Sequence, residues 1–481
     1  MKILAINPSA SDRHNVYTGK EDLPFPLGLA YIVSVVKKGT EQKNINLIDI
    51  NLQRDLLHLD SLRVELKKFD EPTIVLIGGM STLYYWIKNI CKIVKDAFPK
   101  TTIICGGSVT VNSEFLLENT DVDITVLGEG EKTIDELLEA LKNQDSLAHI
   151  KGICFKKGAT IIKNDTRPRI EDLDSIDFPD FHFFNTEAYI QSQVRITGYR
   201  SLPMIISRGC PFNCNFCYRN FGHKIKYRSV ENVIEEIKEL KSKFNIDYFV
   251  LWDELPLFDK EWIKNFAVAL ISNSLRVSWS CPSRASFISD SDLEFLKLLK
   301  RSGLRRISFG VESGSNDMLK RMNKRLTVQQ SEKALKITRK AGIKATATFM
   351  IGYPGETLDT IEKSVDFCKK NLLKTSFYIC VALPGSNLYR DCIEKGMIQD
   401  EEKYLYTISK RGDASQLNIN LTEMSDGDLL RYKNDAETAI NRFHFLNHIK
   451  YYGIIGGIFN IARNPFLFIR RKLKGTYFDT P

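Results

Sequence analysis

Three cysteines stand close together near the middle of the chain. The run RGCPFNCNFCYRN places Cys210, Cys214 and Cys217 at CxxxCxxC spacing, directly after the apolar run PMIIS. Three thiolates on one tight loop can hold three irons of a four-iron, four-sulfur cluster and leave the fourth iron open. A structural zinc site is the alternative, because His223 follows six residues after the last cysteine and is a residue type that binds zinc. The strand context favours the cluster.

Polar residues and glycines follow the later apolar runs, at points where buried strands are expected to end. Some have simpler explanations: Asp253 could be a helix N-cap, and Arg284 an ordinary surface arginine. Glu312 leaves a buried strand beside two glycines, which is unusual for a merely solvated charge. These residues are Asp253, Glu254, Arg284, Glu312, Ser313 and Gly352.

The first part of the chain alternates apolar runs with amphipathic segments. KILAIN, INLID, TIVLIGG, TTIICGG and DITVLGEGE read as strands buried on both faces, with segments of helical spacing between them. Strands alternating with helices predict parallel βαβ units, hence an α/β, flavodoxin-like, doubly wound sheet of five strands over residues 1–145. Glycine-rich turns fall at the strand ends, where such sheets bind ligands.

The alternation resumes at Pro203, after a segment of residues 146–200 that shows no sustained period and reads as a linker. Six strands follow, each with a helix or a loop after it. That count predicts a partial (β/α)6 barrel over residues 201–395, with its chemistry at the carboxyl ends of the strands. The pattern weakens over residues 396–481, where we expect mostly helix.

The CxxxCxxC motif with the aromatic Phe216 before its last cysteine resembles the signature of radical S-adenosylmethionine (SAM) enzymes. The resemblance implies a 4Fe-4S cluster on the three cysteines, whose open iron chelates SAM. Reduction would then cleave SAM to a 5′-deoxyadenosyl radical, while the protein supplies orientation and excludes water. The SAM-binding residues that the resemblance implies are Phe216, Asp253, Glu254, Arg284, Glu312, Ser313 and Gly352.

The upstream segment resembles the cobalamin-binding domain that a large subgroup of these enzymes places before the barrel. FPLGLAYIVSVVKKG, GGMST, CGGSVT and LGEGE occur in the matching order. A flavodoxin-like domain that no longer binds a cofactor is the alternative. The cobalamin-binding residues that the resemblance implies are Gly79, Ser81, Thr82, Gly106, Gly107, Ser108, Thr110, Gly128, Glu129 and Gly130.

One motif departs from the cobalamin domains that ligate cobalt through histidine. Those domains carry DxHxxG, whereas this chain has Asp12 and His14 but Tyr17 in place of the glycine. We therefore predict that cobalamin binds without a protein histidine on cobalt, and that His14 is a loop residue.

The resemblance implies a methyltransferase that moves methyl from methylcobalamin to an unactivated carbon, or less often phosphorus, of a small or lipid-like substrate. A radical cyclase, oxidase or ring-rearranging enzyme is an alternative, because the same cofactors serve both chemistries. A protein that holds cluster and corrinoid without turnover is a third reading. Electrons would come from a donor such as flavodoxin or ferredoxin.

Composition and charge set further expectations. The chain has 481 residues, 43% hydrophobic and 26% charged, and a net charge of +9 that is dispersed; this suits a folded globular protein and gives no reason to expect nucleic acid. No secretory signal is recognised, so we expect a cytoplasmic protein with reduced thiols. The apolar and basic tail, 441–475, predicts either peripheral membrane contact or a helix packed on the barrel.

Overall fold

The first sheet of the computed structural model, which describes residues 1–8, 23–411 and 416–463, has seven strands. Its order is β2-β1-β3-β4-β5-β6-β7, and the first five strands are parallel. The strands are β1 (Ile3–Asn7), β2 (Ile45–Asp49), β3 (Ile74–Gly78), β4 (Thr102–Gly106), β5 (Ile124–Val126), β6 (Ile153–Lys157) and β7 (Thr160–Lys163).

Helices cover both faces of this sheet, as the double-sided burial of its strands requires. One face packs against α1 and α5, and the other against α2, α3 and α4. These helices are α1 (Leu27–Gly39), α2 (Leu59–Leu66), α3 (Tyr84–Ala97), α4 (Ser113–Asn119) and α5 (Glu131–Asn143). The flavodoxin-like, doubly wound prediction is confirmed.

The prediction of five strands was wrong, because the sheet continues beyond residue 145. Strands β6 and β7 pair antiparallel, β6 against β5 and β7 against β6. They lie at the edge of the sheet and β7 is half exposed, so they lack the long apolar run of a central strand. The region predicted as a linker also contains α6 (Thr186–Thr197).

The second sheet has the six strands expected from the sequence, all parallel, in the order β15-β14-β13-β12-β11-β8. Strands β15 and β8 form its two edges, so the barrel is open on one side. The strands are β8 (Ser201–Met204), β11 (Tyr248–Leu251), β12 (Ser278–Ser283), β13 (Leu304–Glu312), β14 (Lys344–Ile351) and β15 (Phe377–Ile379). Two short strands, β9 (Ser207–Arg208) and β10 (Lys226–Tyr227), form a separate antiparallel pair.

Helices cover the outer, apolar face of this sheet. Along β13 the side chains alternate: Ile307, Phe309 and Val311 are buried outward, whereas Ser308 and Gly310 are partly exposed on the inner face. The inside of the barrel is therefore polar. The helices are α7 (Val230–Phe244), α8 (Lys260–Ser272), α9 (Leu293–Arg301), α10 (Asn316–Arg321), α11 (Val328–Lys340) and α12 (Leu358–Lys370).

The C-terminal helices return to both domains. They are α13 (Asn387–Glu394), α14 (Glu401–Arg411) and α15 (Asp426–Arg463). Helix α14 lies on α3, where the Tyr84 hydroxyl donates to Glu402 at 2.9 Å. The start of α15 lies on α12 and buries Leu429 and Ile440 in the barrel core. The residues after 396 thus include a connection to the first domain that the sequence did not indicate.

Two sequence predictions fall outside the described residues. His14 with its flanking Asp12 and Tyr17 is one, and the part of the tail from residue 464 to 475 is the other. Within the described part of the chain, no helix is both long and apolar enough to cross a membrane.

Candidate functional site

The three cysteines lie on one loop, residues 209–225, between β9 and β10; we call it the cysteine loop. Its two ends are held together by the β9–β10 pair and by the Cys210 amide, which donates to the Gly222 carbonyl at 3.0 Å. Gly209 has φ +110°, and a Cβ there would lie 2.4 Å from the Lys224 carbonyl oxygen. Only glycine allows the loop to close in this way.

The tip of the loop is fixed by the barrel helices. The Asn215 amide donates to the Met322 carbonyl at 3.0 Å, and the Asn215 carbonyl accepts from Leu388 at 2.8 Å. The Asn323 side chain donates to the Asn213 carbonyl at 2.7 Å. The loop is thus held on both sides by backbone hydrogen bonds, which positions its thiols before any ligand binds.

Arg284, at the end of β12, reaches the thiols. Its Nη1 donates to the Cys214 sulfur at 3.6 Å, and its Cζ lies 3.8 Å from the centre of the Phe212 ring. Its Nε and Nη2 are buried and have no hydrogen-bond partner among the described residues. Partial burial raises the pKa of Cys210; Glu254 and Cys214 raise it further, whereas the Phe212 amide and Arg284 lower it. A buried cation with two unused donors beside thiols suits an anionic group there.

Asp253 and Glu254, at the end of β11, bind the backbone that leads into the cysteine loop and the loop itself. Asp253 accepts from the Ile206 amide at 3.0 Å and from the Ser207 hydroxyl at 2.7 Å. Glu254 accepts from the Asn220 amide at 3.0 Å. Burial raises the pKa of Asp253 to about 7, and these hydrogen bonds oppose the rise. Asp253 is not an N-cap, and each carboxylate has one buried oxygen without a partner in the described chain.

Glu312 ends β13 in a strained conformation, with φ +70° at a break in the register with β14. Its Oε1 accepts from the Lys324 Nζ at 3.0 Å, and that ammonium lies 5.5 Å from the centre of the Phe216 ring. A Cβ on Gly310 would lie 2.6 Å from the same oxygen. Strain of this kind is typical of functional sites. The sequence did not identify Lys324 as the partner of Glu312, although that lysine stands in the basic run MNKRL, twelve residues after the carboxylate.

Ser313 and Gly352 occupy more structural positions. The Ser313 hydroxyl is fully buried and accepts from the Ser315 amide at 3.1 Å. Gly352 has φ +88°, and a Cβ there would lie 3.4 Å from the Leu429 side chain of α15. Its amide donates to Glu356, whose pKa burial raises to about 7. Both residues already have close protein partners, so their contact with SAM stays a prediction.

The glycine-rich turns of the first sheet divide into two kinds. Gly79 and Gly107 pack backbone to backbone, since a Cβ on Gly107, at φ +85°, would lie 2.6 Å from the Gly79 carbonyl oxygen. By contrast, a Cβ on Gly106 or Gly128 would meet nothing within 4 Å. These two glycines face open space at the carboxyl end of the sheet, where a ligand of this fold is expected.

The hydroxyl side chains of these turns differ in how far the protein itself already occupies or buries them. The Thr110 hydroxyl donates to Gly107 and Val126 carbonyls, so it links two turns of the protein itself. Ser81 is buried, and a Cβ on Gly130 would contact Ile32 at 3.0 Å. Thr82 and Ser108 are half-buried.

Glu129 and Glu131 bind the barrel rather than open space. Arg208, the last residue of β9, lies 3.1 Å from Glu129 and 2.6 Å from Glu131, and all three are buried. Glu129 also accepts from the Ile170 amide at 2.8 Å. The last glycine-rich turn of the first sheet is therefore tied to the residue two positions before Cys210. The RGC run could have indicated this ion pair, because an arginine at the end of a buried strand needs an acidic partner.

A second contact brings another turn of the first sheet to the cysteine loop. A Cβ on Gly385 would lie 2.6 Å from the Tyr218 ring and 2.7 Å from the Val111 side chain. Tyr218 follows Cys217, and Val111 follows the turn at Gly106. The segment that follows the Gly106 turn and the residue after Cys217 therefore pack against the same glycine, which places the carboxyl end of the first sheet near the cysteine loop.

Comparison with known proteins agrees with this architecture. The B12 binding domain model matches residues 21–138, and the Radical SAM superfamily model matches residues 204–368. An uncharacterised methyltransferase of Pyrococcus horikoshii is 32% identical over 406 residues, which cover 83% of this chain and 84% of the relative. The chain belongs to the cobalamin-dependent radical SAM enzymes.

Two further similarities define the range of the family. An anaerobic magnesium-protoporphyrin IX monomethyl ester cyclase of Cereibacter sphaeroides is 27% identical over 84% of this chain and 66% of the cyclase. The structure of the radical SAM methyltransferase TsrM of Kitasatospora setae, with cobalamin and a [4Fe-4S] cluster bound, superposes with a TM-score of 0.67 at 16% identity, covering 83% of this chain and 76% of that one. The last likeness concerns the fold alone.

The cofactors of this radical SAM enzyme are a 4Fe-4S cluster, SAM and cobalamin, and the residues present fit them. In the described part of the chain no three His, Cys, Asp or Glu side chains converge on a point that one metal ion could occupy. A cubane cluster needs one thiolate at each of three corners, which Cys210, Cys214 and Cys217 on one loop can supply. The unpartnered Arg284 donors suit the cluster–SAM side, and the space at Gly106 and Gly128 suits a corrinoid.

The chain's own groups have distinct tasks around these cofactors, which supply a radical and a methyl donor when bound. Arg284 can donate two hydrogen bonds into the space beside Cys214. Glu312, oriented by Lys324, can accept from hydroxyl groups. Asp253 and Glu254 orient the loop through its backbone.

Proposed function

We propose that this enzyme is a methyltransferase. The 5′-deoxyadenosyl radical from one reductively cleaved SAM would abstract hydrogen from a carbon of a small-molecule substrate, and the substrate radical would take methyl from methylcobalamin; phosphorus is a less common acceptor. A second SAM would remethylate the reduced cobalt and leave S-adenosylhomocysteine. Cys210, Cys214 and Cys217 would hold the cluster. A flavodoxin- or ferredoxin-like protein would supply electrons.

The observation that carries the proposal is the contact among Val111, Tyr218 and Gly385. It brings the turn at Gly106, which faces open space, next to the loop that bears Cys217. A substrate between them could meet both a methyl donor and a radical. The P. horikoshii relative, which is named a methyltransferase, supports the same chemistry.

A radical cyclase is the second candidate, because the C. sphaeroides cyclase aligns over 84% of this chain. An anaerobic assay with SAM, methylcobalamin and a reductant separates the candidates. S-adenosylhomocysteine together with 5′-deoxyadenosine means methyl transfer, and 5′-deoxyadenosine alone means the cyclase type of reaction. Neither product would mean that the chain binds its cofactors without turnover.

The cluster assignment has its own test. Reconstituted protein should contain about four irons and four sulfides per chain, since one set of three clustered thiolates is present. Cys217→Ala should lose the thiolate-to-iron absorbance and 5′-deoxyadenosine formation. Cys368→Ala, a buried cysteine on α12, is the matched control and should keep both. A full cluster in the triple alanine variant of the loop cysteines would refute the assignment.

We also propose peripheral membrane contact through residues 441–475. Phe445 and Leu446 are exposed on α15, and the sequence after residue 463 adds a basic cluster at Arg470, Arg471 and Lys472. Apolar and cationic residues acting together are needed for more than marginal binding. Binding to vesicles with anionic lipid should weaken as salt rises and disappear on truncation after residue 440. If full-length protein ignores such vesicles at low salt, the tail is a packing element.

A further inference from the structure

The inside of the partial barrel contains two adjoining cavities. Their volumes are about 480 Å³ and about 460 Å³, and both are lined by Val250, Trp252 and Arg306. Because they share these walls, they form one space along the inner face of the sheet. Its extent is sufficient for a drug-sized molecule.

One end of this space is strongly cationic. Lys300, Arg305, Arg306 and Lys344 line the first cavity where β13 and β14 begin. No Asp or Glu lines that cavity among the residues that the structure describes. Arg305 is oriented by Ser278, to which its Nε donates at 3.0 Å. Burial and the charge of Arg305 lower the pKa of Lys300, as expected where cations face one another.

The other end of this space is the second cavity, whose charged lining residues are Asp253 and Arg306. Trp252 follows β11 and exposes 45% of its surface although it lines both cavities. Tyr199 and Tyr248, with ring centres 5.0 Å apart, form an aromatic wall of the first cavity, beside the cations. Asp253, which binds the backbone before the cysteine loop, lines the second cavity. This end therefore leads towards the proposed cluster.

We infer that the substrate carries an anionic group, a phosphate, phosphonate or carboxylate, attached to an apolar or planar body. The anion would bind at the four cations, and the body would lie against Trp252 with its reacting carbon towards the cysteine loop. Arg306 and Glu312 are six residues apart on β13, about 20 Å at the usual strand rise, so the cations lie well away from the end of β13 that approaches the cysteine loop. This inference rests on the proposed function, which needs a substrate in the barrel.

The same cations would also suit the phosphate in the nucleotide tail of cobalamin. The two sources differ in an observable way, since a substrate anion does not compete with the corrinoid. Cobalamin affinity is therefore measured alongside the anion binding for every variant.

Phenyl phosphate, benzyl alcohol and inorganic phosphate are suitable probes for calorimetric titration of the reconstituted, cobalamin-loaded enzyme. Phenyl phosphate should bind, benzyl alcohol should bind at least 10-fold more weakly, and inorganic phosphate should compete with phenyl phosphate. Arg306→Gln and Lys300→Gln should each weaken phenyl phosphate about 10-fold or more, the size expected for a lost charge-assisted hydrogen bond. Trp252→Phe should remove the fluorescence response to phenyl phosphate.

Lys336→Gln is the control, because Lys336 is exposed on α11 and does not line the cavities. It should leave all affinities unchanged. Equal affinity of the wild type and both cation variants, or no binding of phenyl phosphate at millimolar concentration, overturns the inference. So does a parallel loss of cobalamin affinity, which would assign the cations to the corrinoid. These are equilibrium measurements, so a failure of methyl transfer in the turnover assay is distinguishable from a failure here.

Discussion

Removal of the Arg208 cation should destabilise the protein strongly, because it connects the two domains through buried charges. The side chains of Arg208, Glu129 and Glu131 are 5%, 5% and 9% exposed. In Arg208→Met, Glu129 keeps the Ile170 amide. Glu131 would lose its ion pair, and its Oε2 already has no partner in the described chain. Breaking a buried pair from one side costs about 3–5 kcal/mol, so we expect a loss of that size.

Urea unfolding of the apoprotein measures this loss. Glu131→Gln leaves Arg208 paired with Glu129 and should cost less, about 1.5–3 kcal/mol for one charge-assisted hydrogen bond. The triple variant Arg208→Met, Glu129→Gln, Glu131→Gln removes all three charges and should recover at least half of the loss. Trp86 is the only tryptophan before residue 200. In Trp86→Phe the tryptophan fluorescence therefore reports on the barrel alone, and comparison with the parent protein gives the unfolding of the first domain.

An effect of Arg208→Met below about 1 kcal/mol would refute this reasoning, since a surface pair is worth no more than that. The reasoning would also be refuted if the triple variant recovered none of the lost free energy of unfolding. The loss would then come from the contact of the Arg208 guanidinium group with the Tyr31 and Phe221 rings rather than from unpaired charge.

Three further predictions concern other buried features. Burial raises the pKa of Glu356 to about 7 in the folded protein. The free energy of unfolding should therefore fall as pH rises from about 4.5 to 7 and stay reduced above 7. Glu356→Gln should flatten this pH dependence of the unfolding midpoint, and an unchanged slope would contradict the prediction. Leu429→Ala should cost about 2–5 kcal/mol in urea unfolding, whereas its neighbour Leu430, 38% exposed, should cost about 0.5 kcal/mol or less on the same change. Gly107→Ala should destabilise by about 1–3 kcal/mol from backbone strain alone, while Gly28→Ala, in open space on α1, should be neutral or stabilising; equal effects would show that the close approach to Gly79 relaxes.

The five parallel strands of the first sheet could be predicted because strands covered on two faces produce uninterrupted apolar runs. The six barrel strands could be predicted from their alternation with helical segments. The helices of the barrel follow from helical periodicity, as in α7, whose buried residues include Val233, Ile237 and Leu240. Strands β6 and β7 could not be predicted, because an antiparallel edge pair is short and partly exposed. Helix α14 was equally hidden, since its contacts with Tyr84 and Asn112 lie about 290 residues or more away along the chain.

The candidate site shows a different limit of sequence reasoning. Residue type and spacing located the strand ends, but not which partner each side chain would take there. Thr110 and Glu129 have the chemistry to bind a cofactor, yet one bonds to backbone carbonyls and the other to Arg208. These partners come from remote parts of the fold, so no local pattern encodes them.

The carboxylates around the cysteine loop suggest why this part of the fold is so heavily constrained. Asp253 and Glu254 accept hydrogen bonds from the backbone before and within the loop. Glu312 has a strained backbone conformation, and its carboxylate accepts a hydrogen bond from Lys324. Burial raises the pKa of Asp253 because the ionised carboxylate loses solvation there, and the hydrogen bonds that it accepts oppose that rise. Arg208, which directly precedes the loop, adds a connection to the first domain. Asp253, Glu254 and Arg208 thereby hold the cysteine loop and the strand before it from both domains, which is the positioning that a radical SAM site needs before substrate arrives.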